Sequence, residues 1–189
     1  MPCSAITITK PKTQPDQPKI EQRIVSAHAD PILLSMWSHR AWVISGLVGY
    51  MVADLWSGVY HWVIDNYGNT STPLFGDQIE EFQGHHMWPW VITKRQFANN
   101  LHDLGRAVTF AVLPIDLFCD NPIIHGFASV CFGCILFSQQ FHAWAHSTKS
   151  RLPPLVVALE DLGILLPRSQ HAAHHRPPYD NNYCIVSGI

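Results

Sequence analysis

Charge is the first thing this sequence is short of. Asp, Glu, Lys and Arg make up 14% of its 189 residues, against about 25% in a soluble globular domain. The formal net charge of -2 offers no basic field, so no nucleic-acid partner is expected. Cysteine is sparse as well. The five present, at 3, 119, 131, 134 and 184, are odd in number and follow no disulfide framework. Cys131 and Cys134 have redox-pair spacing but lie in the apolar run 123–137 without a zinc-type partner pair, and read as helix-packing residues. There is no internal repeat and no flavin, haem or nucleotide motif, so any redox chemistry draws its electrons from outside. The N-terminal region also lacks a signal-peptide apolar core.

Apolar residues and histidine are what the chain has in quantity. It is 47% hydrophobic, and its 12 histidines equal its lysines and arginines combined. Residues 1–37, rich in Pro, Ser, Thr, Gln and Lys, are expected to be a disordered leader whose hydroxylated, basic start suits a short organelle transit peptide. Residues 38–189 then form one domain. From Ala41 to Ile64 the chain is almost unbroken apolar or small residues, long enough to cross the roughly 30 Å hydrocarbon core. Ile123 to Trp144 is a second spanning candidate. Leu104 to Phe118 is short and broken by Pro114. Leu152 to Leu166, with Glu160 and Asp161 inside it, is expected to lie along the interface. Trp88 and Trp90 suit a membrane–water boundary.

The histidines fall in clusters with ligand spacing. His171, His174 and His175 share one arc of a helix, because positions i, i+3 and i+4 lie within roughly 100°. His142 and His146 are i and i+4. In the first span, Asp54, His61 and Asp65 lie within about 40° of one another, and such groups at membrane depth face a protein interior. His85 and His86 are adjacent and cannot share a helical face, so one is expected to bind metal while the other hydrogen-bonds a ligand or lipid headgroup. Eight histidines with Asp65 exceed what one zinc takes. That surplus fits two metals, and imidazole-rich sites with open positions suit iron and oxygen. Asp54, Asn100 and His102 are further candidates, as ligands or as groups that orient a ligand ring. The fold expected is an all-α integral membrane protein, a small multi-helix bundle holding a polyhistidine di-metal site.

Four segments carry a resemblance. They are Asp54-x-x-Ser57-Gly58-x-x-His61-Trp62-x-x-Asp65, Gln83-Gly84-His85-His86-x-x-Pro89, Phe141-His142-Ala143-Trp144-Ala145-His146, and Pro167-Arg168-x-x-His171-x-x-His174-His175. In that order they resemble the membrane lipid desaturase family that includes plasmanylethanolamine desaturase. The Trp-Pro-Trp, Phe-Ala-Asn-Asn-Leu-His and Asn-Asn-Tyr-Cys runs are more similar to its plant plastid branch, fatty acid desaturase 4. The resemblance implies a non-haem di-iron, oxygen-dependent desaturase acting on acyl chains of intact membrane lipids. For the plastid branch it implies a trans double bond near the carboxyl end of palmitate in phosphatidylglycerol, a chloroplast membrane and a ferredoxin-type electron donor; the endoplasmic reticulum is the alternative membrane. It also implies more hydrophobic sequence before Asp54 and more chain after Ile189, so the scaffold is expected to be shortened at both places. An acyl hydroxylase on the same site, a zinc-dependent membrane hydrolase and a catalytically inactive, metal-stabilised paralogue are the competing expectations.

Overall fold

The computed structural model describes the backbone of residues 31–188 and side chains from His39. The first 30 residues of the expected leader lie outside the described residues. The last residues of that leader belong to helix α1 (Pro31–Asn66), where proline at the first helical position has a pre-set φ and no N–H to leave unpaired. The chain continues through α2 (Gly76–His85), a 3₁₀ turn (Pro89–Lys94), α3 (Phe97–Phe118), α4 (Pro122–Ala145), α5 (Pro154–Asp161) and α6 (Arg168–His174). No strand occurs among the described residues.

Two helices, His39–Asn66 within α1 and Pro122–Ala145, are long and apolar enough to cross a membrane, and protein covers only 33% and 17% of their most apolar windows. The pattern within α1 shows what covers the rest. Ser45, Gly46, Gly49, Ala53, Asp54, Ser57, Gly58 and His61 are buried, one residue or pair per turn. Leu47, Met51, Leu55 and Trp56 on the other faces are more than half exposed. A helix in water hides its large apolar residues; this one turns them outward and keeps its small and polar residues for protein contact, as a helix in lipid does.

The small residues let α1 and α4 approach closely. A Cβ built on Gly49 would stand 2.5 Å from the Phe127 carbonyl oxygen, and one on Gly126 would stand 2.7 Å from Ser45 Oγ. Gly46 lies against Gly126 and Val130, Gly49 against Phe127 and Cys131, and Ala53 packs with Cys131. Residue numbers rise together along the contact, so the two helices run parallel. Their C-terminal ends, with His61 and His142, meet at the same end of the bundle. Cys131 is buried in this contact, the packing role its apolar surroundings implied.

Helix α3 returns antiparallel to α4. Asn121 caps α4 by accepting from the Ile123 N–H at 2.9 Å, and Gly105 faces Leu136 while Asn100 Nδ2 donates to Gln140 Oε1 at 3.0 Å. Pro114 does not break this helix. The pyrrolidine forfeits one N–H, yet the helix runs on to Phe118 and closes with the Cys119 N–H on the Ile115 carbonyl at 2.9 Å. The 104–118 segment is therefore the apolar second half of a longer helix whose first half is polar. Leu152, Val156 and Leu165 pack α5 and its following turn against Phe141 and Trp144, while Leu155 and Leu162 face outward.

The last residues form a strap antiparallel to α1. The Ser187 N–H and Oγ donate to the two carboxylate oxygens of Asp54 at 2.8 and 2.7 Å. The Ile185 N–H donates to Ser57 Oγ at 3.1 Å, and Cys184 fills the space left by Gly58. If the close α1–α4 contact holds the bundle, Gly49→Leu lowers the unfolding temperature in detergent, at a cost of roughly 1–3 kcal/mol for overpacking. An unchanged temperature would contradict the contact.

Candidate metal centre

Four helix ends bring the candidate ligand side chains together. His61 and Asp65 sit in the last turns of α1, His85 ends α2 with His86 just after it, His142 and His146 end α4, and His171, His174 and His175 come from α6 and its cap. The i, i+4 spacing of His61 with Asp65 and of His142 with His146 does what it implied, aiming both members of each pair the same way. These nine residues form two sets. His61, Asp65, His86 and His174 make one; His85, His142, His146, His171 and His175 make the other. Within each set the ligating atoms lie within 4.8 Å of one another.

The adjacent pair is split with one ring in each set, rather than one ring at a metal and the other on a ligand or headgroup. His86 Nε2 lies 3.0 Å from Asp65 Oδ2, with His61 Nε2 at 3.2 Å and His174 Nε2 at 3.4 Å from the same oxygen. In the other set, His146 Nε2 is 2.8 Å from both His85 Nε2 and His171 Nε2, and His171 Nε2 is 3.1 Å from His175 Nε2. Two nitrogens bonded at right angles to one ion, at the roughly 2.1 Å of an imidazole–metal bond, stand about 3 Å apart. The observed spacings match that value. Both ring nitrogens of His142 are buried without a hydrogen-bond partner, as are Asp65 Oδ1 and Nδ1 of His86, His171 and His175. Orphaned buried polar atoms are costly; an ion in the second set would take up one nitrogen of His142, while the Nδ1 atoms of His86, His171 and His175 lie on the ring side away from the Nε2 clusters. The residues fit a pair of metal ions.

Other groups fix which nitrogen faces inward. His61 Nδ1 donates to the Tyr183 carbonyl at 3.0 Å and His174 Nδ1 to the Asn181 carbonyl at 2.7 Å. With Nδ1 carrying the proton, each ring presents the Nε2 lone pair to Asp65's neighbourhood, the usual outer support of a ligating histidine. These carbonyls belong to the C-terminal segment, and no spacing rule in the sequence pointed to them. Asp54 bonds Ser187 rather than an imidazole, so its link to the centre runs through the strap that carries the Tyr183 carbonyl. Asn100 and His102 belong to neither set. Asn100 is held by Gln140, and His102 is an exposed residue pairing with Asp103. Arg168 donates to the Ser147 carbonyl at 3.0 Å, beside His146. His125 lies at the far end of α4, bonded to the Cys119 carbonyl.

A cavity of about 360 Å³ reaches the second set. His85 and His142 form its inner end, Phe82 and Ile92 its walls, and Trp88 stands at its more exposed side. Trp90 is exposed elsewhere on the 3₁₀ turn.

Four imidazoles outside the spanning helices, His85, His146, His171 and His175, are held neutral. Burial, reinforced by the neighbouring rings, lowers His85 to about 3 and His175 to about 2, and lowers His171 well below its ordinary value. Burial and then the nearby Arg168 guanidinium lower His146 to about 4. Neutral rings keep their lone pairs for a metal. In the metal-free protein these depressed values mean that, between about pH 6.5 and 3, the unfolded chain binds more protons than the folded one. Stability is therefore full above 6.5 and lost as pH falls. Thermal unfolding of chelator-treated protein is expected to show a midpoint that is nearly level above about pH 7 and falls from about pH 6.5 to 4.5; a constant midpoint across that range would contradict neutral, crowded imidazoles.

Residues 50–189 match the lipid desaturase domain. The chain is 68% identical to Fatty acid desaturase 4, chloroplastic, of Arabidopsis thaliana, over 77% of this chain and 45% of that protein. It is 49% identical to Fatty acid desaturase 4-like 1, chloroplastic, of the same plant, over 98% of this chain and 74% of the relative. Plasmanylethanolamine desaturase 1 of Mus musculus is 33% identical over 83% of this chain and 62% of its own length. The chain thus spans less than half of the first relative and about three quarters of the second. No solved structure gives a significant match. Two membrane-length helices, two histidine-rich ligand sets at one end of them and a domain match over most of the sequence lead to one conclusion: the chain belongs to the lipid desaturase family.

Proposed function

We propose that this protein is a chloroplast-membrane fatty acyl-lipid desaturase, its two ligand sets each holding one iron ion. The single observation carrying the proposal is the pair of adjoining ligand sets at the parallel ends of two membrane-length helices, beside a cavity that reaches His85 and His142. The substrate proposed is phosphatidylglycerol, desaturated to a trans double bond near the carboxyl end of its palmitoyl chain. Support for fatty acyl desaturation comes from the similarity to relatives named fatty acid desaturase 4, and the choice of a bond near the carboxyl end is in keeping with a site at the helix ends rather than midway along them.

Two iron ions would supply the oxidising chemistry, with molecular oxygen as oxidant. The balance is one CH₂–CH₂ unit, one O₂, two electrons and two protons giving one CH=CH unit and two waters. The electrons come from an external donor, proposed to be of the ferredoxin type. The chain's own residues bind and orient. His61 and His174 are held in one tautomer by backbone carbonyls, Asp65 supplies the one anionic ligand, and Phe82 and Ile92 give the cavity an apolar wall that excludes water from an acyl chain.

Lipid mass spectrometry after expression in a plastid lacking the activity tests the proposal, with His171→Ala as control. The expected result is a phosphatidylglycerol species two mass units lighter, absent with the variant. A species heavier by one oxygen atom would replace desaturation with hydroxylation. Unchanged lipid, with the protein verified in the membrane, would replace it with a metal-stabilised scaffold.

A further inference from the structure

The cavity that touches the histidines has a graded character. Its most buried lining residues, His142 and Ile92, are 2% and 7% exposed. Its outer end carries Arg95, Glu81 and Trp88, all substantially exposed. Arg95 is the one cation among the lining residues, and it faces Glu81 across a loose ion pair with 3.7 Å between Nη1 and Oε2. Exposed pairs of this kind contribute little, so a better partner can displace the carboxylate. A phosphodiester is such a partner, because the planar guanidinium offers two parallel N–H donors to it.

We infer that Arg95 is a binding residue for the headgroup phosphate of a membrane phospholipid, with Glu81 as the competing anion that the lipid displaces. The inference rests on the desaturase reading and deepens it. A bond formed near the carboxyl end puts the reacting carbons only a few bonds from the glycerol and its phosphate. One short piece of lipid must then meet the ligating histidines and a phosphate-binding group at once. A cavity of about 360 Å³ lies at the small end of ligand sites, roughly 300–1,000 Å³. It is suited to that piece and leaves the rest of both acyl chains in the bilayer. Trp88, amphipathic and half exposed, is the kind of residue found at headgroup level. Arg95 itself follows the 3₁₀ turn that builds the cavity wall, so its position is set by the same element.

The pair makes the site testable, because its two members act in opposite senses. The probe is phosphatidylglycerol with brominated acyl chains, titrated against the full chain in nanodiscs of unbrominated phosphatidylcholine, with tryptophan quenching as readout. Arg95→Gln is expected to weaken the phosphatidylglycerol-dependent quenching about tenfold or more, and Glu81→Gln to strengthen it severalfold. Brominated diacylglycerol, which has no phosphate, should bind the native and Arg95→Gln proteins alike. A structural ion pair predicts that both substitutions weaken binding together; that result, or indifference to both, overturns the site. Displacement of the lipid by millimolar glycerol 3-phosphate would overturn its assignment to a lipid headgroup in favour of a soluble phosphate. Product formation is read separately. Opposite shifts in binding support the site even where no double bond forms, an outcome that counts against desaturation alone. Desaturation with a KM for phosphatidylglycerol unmoved by Arg95→Gln counts against the site alone.

Discussion

Lone pairs from eight imidazoles and one carboxylate cannot be gathered at the end of a helix bundle without something to hold them there. Each ring gives up hydration, and rings pressed edge to edge oppose one another's protonation, which is why His85, His146 and His175 are pushed to about 3, 4 and 2. Much of the architecture answers this constraint. The parallel α1–α4 contact, closed by Gly49 and Gly126, sets the ends of two long helices level. Helix α2 and helix α6 then close over those ends with a histidine pair and a histidine triplet. A bound metal turns the crowding from a cost into coordination, since it accepts the lone pairs that otherwise face each other.

The C-terminal strap is the less obvious half of that arrangement. Ser187, Ile185 and Tyr183 meet Asp54, Ser57 and His61 in reverse order along α1. Asp54, buried within a membrane-length helix, is satisfied by two hydrogen bonds from a single serine. The strap's remaining task is at the centre, where the Tyr183 and Asn181 carbonyls fix the tautomers of His61 and His174. Local packing along α1 is thereby connected to the electronic state of ligands at its end, through ordinary backbone hydrogen bonds. The same logic separates Asp54 from Asp65. Both lie on one stripe, but only Asp65 is at the depth where the other clusters converge.

Much of this arrangement is legible in the amino-acid sequence. Nearly unbroken apolar runs mark both spans, and 3- and 4-residue spacings pick out seven of the nine candidate ligands, all but the adjacent His85 and His86, because helical periodicity is a local property that sequence displays directly. The tertiary part is not legible there. Whether His85 and His86 serve one ion or two depends on where α6 and α4 arrive, and nothing near residue 85 records that. Asn100 and His102 sit in a polar stretch rich in ligand-type residues, yet the first turns of α3 aim Asn100 at Gln140 and leave His102 at the surface. Pro114 reads as a break because proline usually is one in water; within an apolar helix, losing one N–H does not end it. The carbonyls of Asn181 and Tyr183 carry no side-chain signature at all.

The central claim is that the nine residues make two separate metal positions, and metal content tests it most directly. Protein purified from iron-supplemented cells, analysed by inductively coupled plasma mass spectrometry, should carry about two irons per chain. Asp65→Ala and His146→Ala should each lose chiefly one of them, since each belongs to a different set. The Mössbauer spectrum of each variant identifies the iron that remains: one with an all-histidine environment for Asp65→Ala, and one with a carboxylate ligand for His146→Ala; loss of both irons from either variant would contradict separate positions. One iron in the native protein, or two in either variant, would contradict the account.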